Sequence, residues 1–262
     1  MSHPTTAPAR GSTWLLPVIT LVGVAFAIAA AFFGSGALGG TPINEAAGGS
    51  LSADATPLAP AGTAFSIWSV IYLGLAGYAF WQLSGTARRS ERERSLRPWA
   101  LLSVLLNAAW IWTVQLGSLI ASVAVILALL AVLIRIMFLL GAPRTGGMVE
   151  RVLTDATFGL YFGWVLVATF ANTWAWLAAS DVEAMREIPV GVAGIVVATV
   201  VAVVAAVLDG GRLAPVLATS WGLAWIAVGR TEGQFESSAL VWAAGIAAVI
   251  VLLAPVPGRM RR

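Results

Sequence analysis

Three short stretches of the chain carry residue types that could do chemistry. In "FSIWSVIY", Phe65, Trp68 and Tyr72 stand three and four residues apart. "LLNAAW" sets Asn107 three residues before Trp110, and "LYFGWVLVATFAN" sets Tyr161, Trp164, Ala168 and Asn172 at intervals of three, four and four. At helical pitch each set falls on one face of its helix. Such faces offer indole and phenol rings to stack on a flat apolar molecule, and amides to hold a polar edge. They offer no strong nucleophile, acid or base. The same residues also suit plain packing, with the rings as core filler and Asn107 and Asn172 as links between helices, each worth about 0.6 kcal/mol in a membrane. From spacing alone, pocket and packing stand side by side.

Other chemistries are excluded by what is missing. The chain has no cysteine, and its one histidine, His3, lies in the N-terminal tail. Thiol catalysis, disulfides and metal sites built on cysteine or histidine are therefore not expected. Charged residues inside apolar stretches, the best flag of an ion pathway, are nearly absent. Arg135 lies about one turn from the end of its stretch, where it can snorkel, and Asp155 near the start of its own reads as an interfacial anchor. A proton- or ion-coupled pump, and a hydrolase needing a buried acid or base, both lack their machinery. No cofactor is expected.

The elements that must position these residues are membrane helices. The 262 residues are 59% hydrophobic and 10% charged, with mean hydropathy +0.90, against roughly 25% charged in soluble domains. Eight apolar stretches lie near 13–33, 63–84, 98–116, 118–140, 153–178, 188–208, 213–229 and 237–254. Backbone in lipid must satisfy itself, so each reads as a helix, and the fold class is an all-α integral membrane protein of about eight spans. The seventh stretch is short of the ~20 residues a crossing takes. The first exceeds the ~7–15 apolar residues of a signal peptide and is expected to stay as a helix.

Charge supplies the orientation. All fifteen basic residues are arginine, and thirteen fall on one side if the stretches alternate; only Arg186 and Arg230 fall on the other. The positive-inside rule then places both termini in the cytoplasm, in a multi-pass protein of, by expectation, a bacterial plasma membrane. The pI near 10.2 reflects this topology signal, so no nucleic-acid partner is expected. The 85–97 segment "GTARRSERERSLR" reads as a solvated turn.

Trp14, Trp81, Trp99, Trp112, Trp174 and Trp176 sit near helix ends, as an aromatic belt requires. Trp68, Trp110, Trp164, Trp221 and Trp225 lie deeper. The 34–62 connection is long, rich in Gly, Ala and Pro, and on the outer side, which suits a lid or binding loop. Pro60 and Gly62 at its end suit a helix start. Most stripe residues map beneath it, in the outer half of the membrane.

On these stripes the chain resembles the TspO/translocator protein family, the tryptophan-rich sensory proteins. "LNAAW" is similar to the family's L-N-x-x-W. "LYFGWVLVATFAN" is similar to P-Y-x-x-W followed eight residues later by Asn. "APAGTAFSIWSVIY" is similar to the family's proline- and tryptophan-rich entry into the second helix, with Pro60, Trp68 and Tyr72 matching. The likeness covers about residues 14–178. The chain departs from the pattern at Ala59, Gly62 and Leu160, in Phe65 being displaced by one position, and in having no tryptophan within 34–62.

The resemblance implies a five-helix bundle over 13–178 whose pocket opens under the 34–62 loop. A three-helix extension over 188–254 then follows, with tails at 1–12 and 255–262. It implies ligand contacts from Trp68, Tyr72, Asn107, Trp110, Tyr161, Trp164, Ala168 and Asn172, with Pro60 and Phe65 at the entry. The ligand would be a hydrophobic planar molecule, a porphyrin or other tetrapyrrole or a sterol-like compound, and some bacterial members promote light-dependent porphyrin breakdown. A homodimer is among the assemblies it allows, unless the extension covers that surface. A receptor or sensor is the reading that follows. A transporter of small amphipathic molecules and a structural partner protein without a small-molecule ligand are the alternatives.

Overall fold

The computed structural model describes residues 14–35, 41–43 and 45–254. The tails expected at 1–12 and 255–262, with His3, lie outside them. Among the described residues every regular element is helical: α1 (Leu15–Gly34), α2 (Ile67–Trp81, led by a 3-10 turn over Gly62–Ser66), α3 (Gly85–Arg89), α4 (Glu91–Gln115), α5 (Leu119–Leu139), α6 (Gly147–Glu150), α7 (Thr157–Ala179), α8 (Ile188–Leu208), α9 (Leu213–Val228) and α10 (Ser238–Leu253). A π-helical turn, Arg151–Ala156, makes α6 and α7 one continuous rod.

Five of these rods are long and apolar enough to cross a membrane: α1, the stretch 62–81, α5, the stretch 147–179 and α8. α4 has the length but opens with charged turns. α9 and α10 are apolar but only 16 residues each. Together these are the eight apolar stretches of the sequence, and the protein is an all-α, multi-pass membrane protein.

α7 is the axis of the fold. Of its spanning window 72% is buried, against 28–39% for the other four long spans, whose outer faces are left for lipid. α2 and α5 pack on it from one side and α9 from the other, while α10 packs on α9 and α8. The close α7–α9 approach needs glycine. A Cβ at Gly159 would come within 2.8 Å of Ala214 Cβ and Pro215 Cδ, and one at Gly163 would strike the Pro215 carbonyl. One buried apolar core therefore runs from Val24 of α1 to Val251 of α10.

The 85–97 segment is not the solvated turn its alternating charges imply. Ser84 and Ser90 cap α3 and α4 by accepting from the backbone N–H of Ala87 and Glu93, as short polar side chains do at helix starts. The capped first turns of α4 point three charged side chains inward, leaving Arg92, Glu93 and Arg97 only 6%, 0% and 3% exposed. Arg92 donates to the carboxylates of Glu150 and Asp155 and, at 3.1 Å, to the Leu140 carbonyl. Arg144 also pairs with Asp155. Asp155 is thus no interfacial anchor: it lies on the π turn, inside this ion cluster. Arg135 does stay exposed, with its guanidinium 5.9 Å from the Trp99 ring.

Glu93 sits beside the cluster, accepting from Gln82 Nε2 at 2.7 Å and Thr154 Oγ1 at 3.3 Å. Burial pushes its carboxyl up from 4.5 to about 7, against the pull of Gln82 and Arg92. Between those two pH values the folded state holds a proton that the unfolded chain has released, so stability falls as pH rises through the window and levels off above it. Asp209, raised by burial from 3.8 to about 6, adds a slope of the same sign at lower pH. Thermal unfolding in detergent is expected to show a melting temperature that drops from pH 6 to pH 7.5, and Glu93→Gln is expected to flatten that upper part. A variant with the wild-type slope would show that Glu93 is not the titrating group.

Candidate ligand cavity

The three aromatic stripes converge. Trp68 of α2 stacks on Tyr72 at 5.1 Å and 22° between ring planes, and meets Tyr161 and Trp164 of α7 edge-on at 5.7 and 6.4 Å. Phe65 meets Trp164 edge-on at 5.5 Å. These are the offset and T-shaped geometries that aromatic quadrupoles prefer. Against them lies a cavity with about 50 Å³ open to the centre of a water molecule, room for about four waters.

Eight of the ten residues singled out from the sequence line it: Pro60, Phe65, Trp68, Asn107, Trp110, Trp164, Ala168 and Asn172. Tyr72 and Tyr161 do not; they stand behind Trp68 and fix its ring. Each phenol is itself held, with Tyr72 accepting from Asn107 Nδ2 at 3.0 Å and Tyr161 donating to the Ser103 carbonyl at 3.0 Å. The rest of the wall comes from Ile126 and Leu129 of α5 and from Val165, Ala171 and Ala175 of α7. The roof is Ser50, Leu51, Thr56, Ala59 and Pro60 of the long loop. No lining residue is titratable, and among the described residues no group of His, Cys, Asp or Glu could hold a metal.

The two asparagines differ in what they leave free. Asn172 accepts from Trp110 Nε1 at 3.1 Å and donates to Ser122 Oγ at 3.0 Å, and Ser122 donates on to the Leu119 carbonyl at 2.7 Å. Its amide therefore ties α4, α5 and α7 together under the cavity. Asn107 spends one N–H on Tyr72, and its carbonyl oxygen has no hydrogen bond among the described residues. Of the cavity's three indoles only Trp110 donates to a protein acceptor, while the N–H groups of Trp68 and Trp164 have no partner among the described residues. Thr56 is 1% exposed with an unpartnered hydroxyl.

Sequence reasoning did not single out Ile126, Leu129 or Ser122. An aliphatic residue on an apolar helix reads the same whether it faces lipid or a cavity, so no local signal marks them. Trp221 and Trp225 do not line the cavity. They pack edge to face at 5.4 Å, and Trp221 Nε1 donates to the Ala64 carbonyl at 3.0 Å.

The model of one protein family, described as TSPO-like protein, matches residues 19–256. The match extends beyond the stretch that carries the aromatic motifs and takes in α8, α9 and α10. No curated protein and no solved structure matches the chain significantly. With nearly its whole length matched, the chain belongs to the TSPO-like protein family.

Proposed function

We propose that this TSPO-like protein is a membrane sensor or receptor that binds a hydrophobic, planar ligand of tetrapyrrole or sterol-like type in the cavity beneath the 50–60 roof. By this reading the roof faces outward and the arginine-rich ends of the helices face the cytoplasm, in keeping with the positive-inside rule. The observation that carries the proposal is the cavity's chemistry. Its walls are apolar and aromatic with few polar groups, the usual make-up of a small-molecule site. Two indole donors and one amide oxygen are left uncommitted around it. A flat ligand bearing carbonyl or carboxylate groups would stack on the rings and take up those donors.

The volume adds a condition. About 50 Å³ is too little for a macrocycle, since sites for drug-sized ligands run to roughly 300–1,000 Å³. Binding on this reading includes displacement of the roof, and ligand arrival is coupled to loop movement. A loop that moves on binding is also what a sensor needs to report occupancy.

Titrating protoporphyrin into detergent-purified protein, with tryptophan emission as readout, tests the reading. Saturable quenching is expected, weakened several-fold by Trp164→Phe and by Asn107→Ala. Quenching that never saturates, or is the same in both variants, would remove the ligand from this cavity.

A further inference from the structure

Among the described residues, the hydrogen bonds that reach the 53–59 roof from outside the loop come from the connection after α9 and not from the helices that wall the cavity. Arg230, in the connection after α9, is 0% exposed. It donates Nη1 to the Thr56 carbonyl at 3.0 Å, and Nη2 to the carbonyls of Ala53 and, at 3.4 Å, Ala59. It forms no salt bridge among the described residues. The nearest acid, Asp54, instead accepts from the Gln234 backbone N–H at 3.2 Å. Two of the three acceptors, Thr56 and Ala59, directly precede Pro57 and Pro60. Those prolines bring no N–H to the roof's own hydrogen bonding; inside it the Thr56 carbonyl accepts from the Ala59 N–H at 3.1 Å, and Arg230 adds bonds from outside.

The residues that follow the roof are gripped by α9. Ala61 N–H donates to the Trp225 carbonyl at 3.0 Å, and Trp221 holds the Ala64 carbonyl. Gly191 of α8 makes room for the roof, since a Cβ there would stand 2.5 Å from Pro57 Cβ, while Gly194 makes room first for the Trp174 ring of α7, at 2.5 Å, and then for Leu58 Cδ2, at 3.0 Å. One turn of α8 is thus shaped to the loop as well as to its neighbouring helices.

We infer that the C-terminal helices serve as the latch of the cavity, and that Arg230 is the positioning residue that holds the 53–59 segment closed over it. Opening the roof breaks three hydrogen bonds from a charged donor at once and leaves that guanidinium buried without acceptors, which makes closure strongly favoured. Access to the cavity is then set by a residue that does not line it. The inference concerns passage through the roof, whatever the cavity binds.

The cysteine-free chain allows a direct test without any ligand. Thr56→Cys is a small change at a buried residue whose hydroxyl has no partner, and the introduced thiol reports roof opening by its rate of reaction with a water-soluble maleimide. Adding Arg230→Gln is expected to speed that reaction about tenfold or more, the equivalent of losing one charged hydrogen bond. Ser103→Cys, at a site 0% exposed within α4, serves as the control in the same Arg230→Gln background and is expected to stay unreactive. An unchanged rate at position 56 would overturn the inference. So would equal acceleration at positions 56 and 103, because Arg230 would then support the whole fold instead of the roof.

Discussion

Replacing Arg92 with methionine is expected to destabilise the folded protein by about 3–5 kcal/mol, the usual cost of removing one partner from a buried ion pair. Methionine keeps most of the side-chain volume, so packing is largely preserved. The loss comes from leaving the Glu150 and Asp155 carboxylates buried without the guanidinium that both accept from. Glu150 keeps the hydrogen bonds it accepts from the Gly146 and Thr145 N–H groups but loses its charged partner. Denaturant unfolding followed by tryptophan emission measures the effect. Neutralising the acids as well, with Glu150→Gln and Asp155→Asn, is expected to recover most of the loss. A single variant costing under about 1 kcal/mol would place the cluster among surface-like ion pairs, in spite of its burial.

Filling the cavity is the second large effect. Ala168 lines it on α7 between Trp164 and Asn172, and Ala168→Leu adds a branched side chain to a space that admits only a few waters. Saturable protoporphyrin quenching is expected to disappear, a loss of about a hundredfold or more in affinity, since the added side chain stands between Trp164 and Asn172 and clashes with a flat ligand there even when the roof is displaced. Overpacking usually costs about 1–3 kcal/mol, and here part of it is offset because the methyl groups enter open space. The melting temperature is therefore expected to stay within a few degrees of wild type. Binding that survives at full strength would move the ligand to another surface of the bundle.

Which parts were legible in the sequence follows from the range of the interactions. Helical spacing put Trp68 with Tyr72, Asn107 with Trp110, and Trp164 with Ala168 and Asn172, because residues three and four apart must share a face. It could not tell whether a polar group on that face is free. Asn172 and Asn107 look alike in one dimension, yet one amide is committed to Trp110 and Ser122 and the other retains an acceptor. The arginine-rich segment failed as a solvated turn because Arg92 finds its partners 58 and 63 residues away, beyond any local pattern. Arg230, counted as one of two outward arginines, finds the roof 171–177 residues away. Charge counting registers such a residue only as a topology signal.

The two 16-residue helices carry a consequence for the surrounding lipid. At the helical rise each is about 24 Å long, some 6 Å less than a typical hydrocarbon core of about 30 Å. α9 turns Leu213, Leu217, Trp221 and Val228 outward, and α10 turns Trp242, Ile246, Val249 and Leu253 outward. Lipids against α10 must compress their acyl chains to meet it, at a cost of a fraction of a kcal/mol per Å, while those against the longer α1 and α5 need not. The protein therefore imposes an uneven thickness on its own annulus. α10 in turn packs on α9, whose far end carries Arg230, so the two shortest spans of the fold are the ones that back the clasp on the roof.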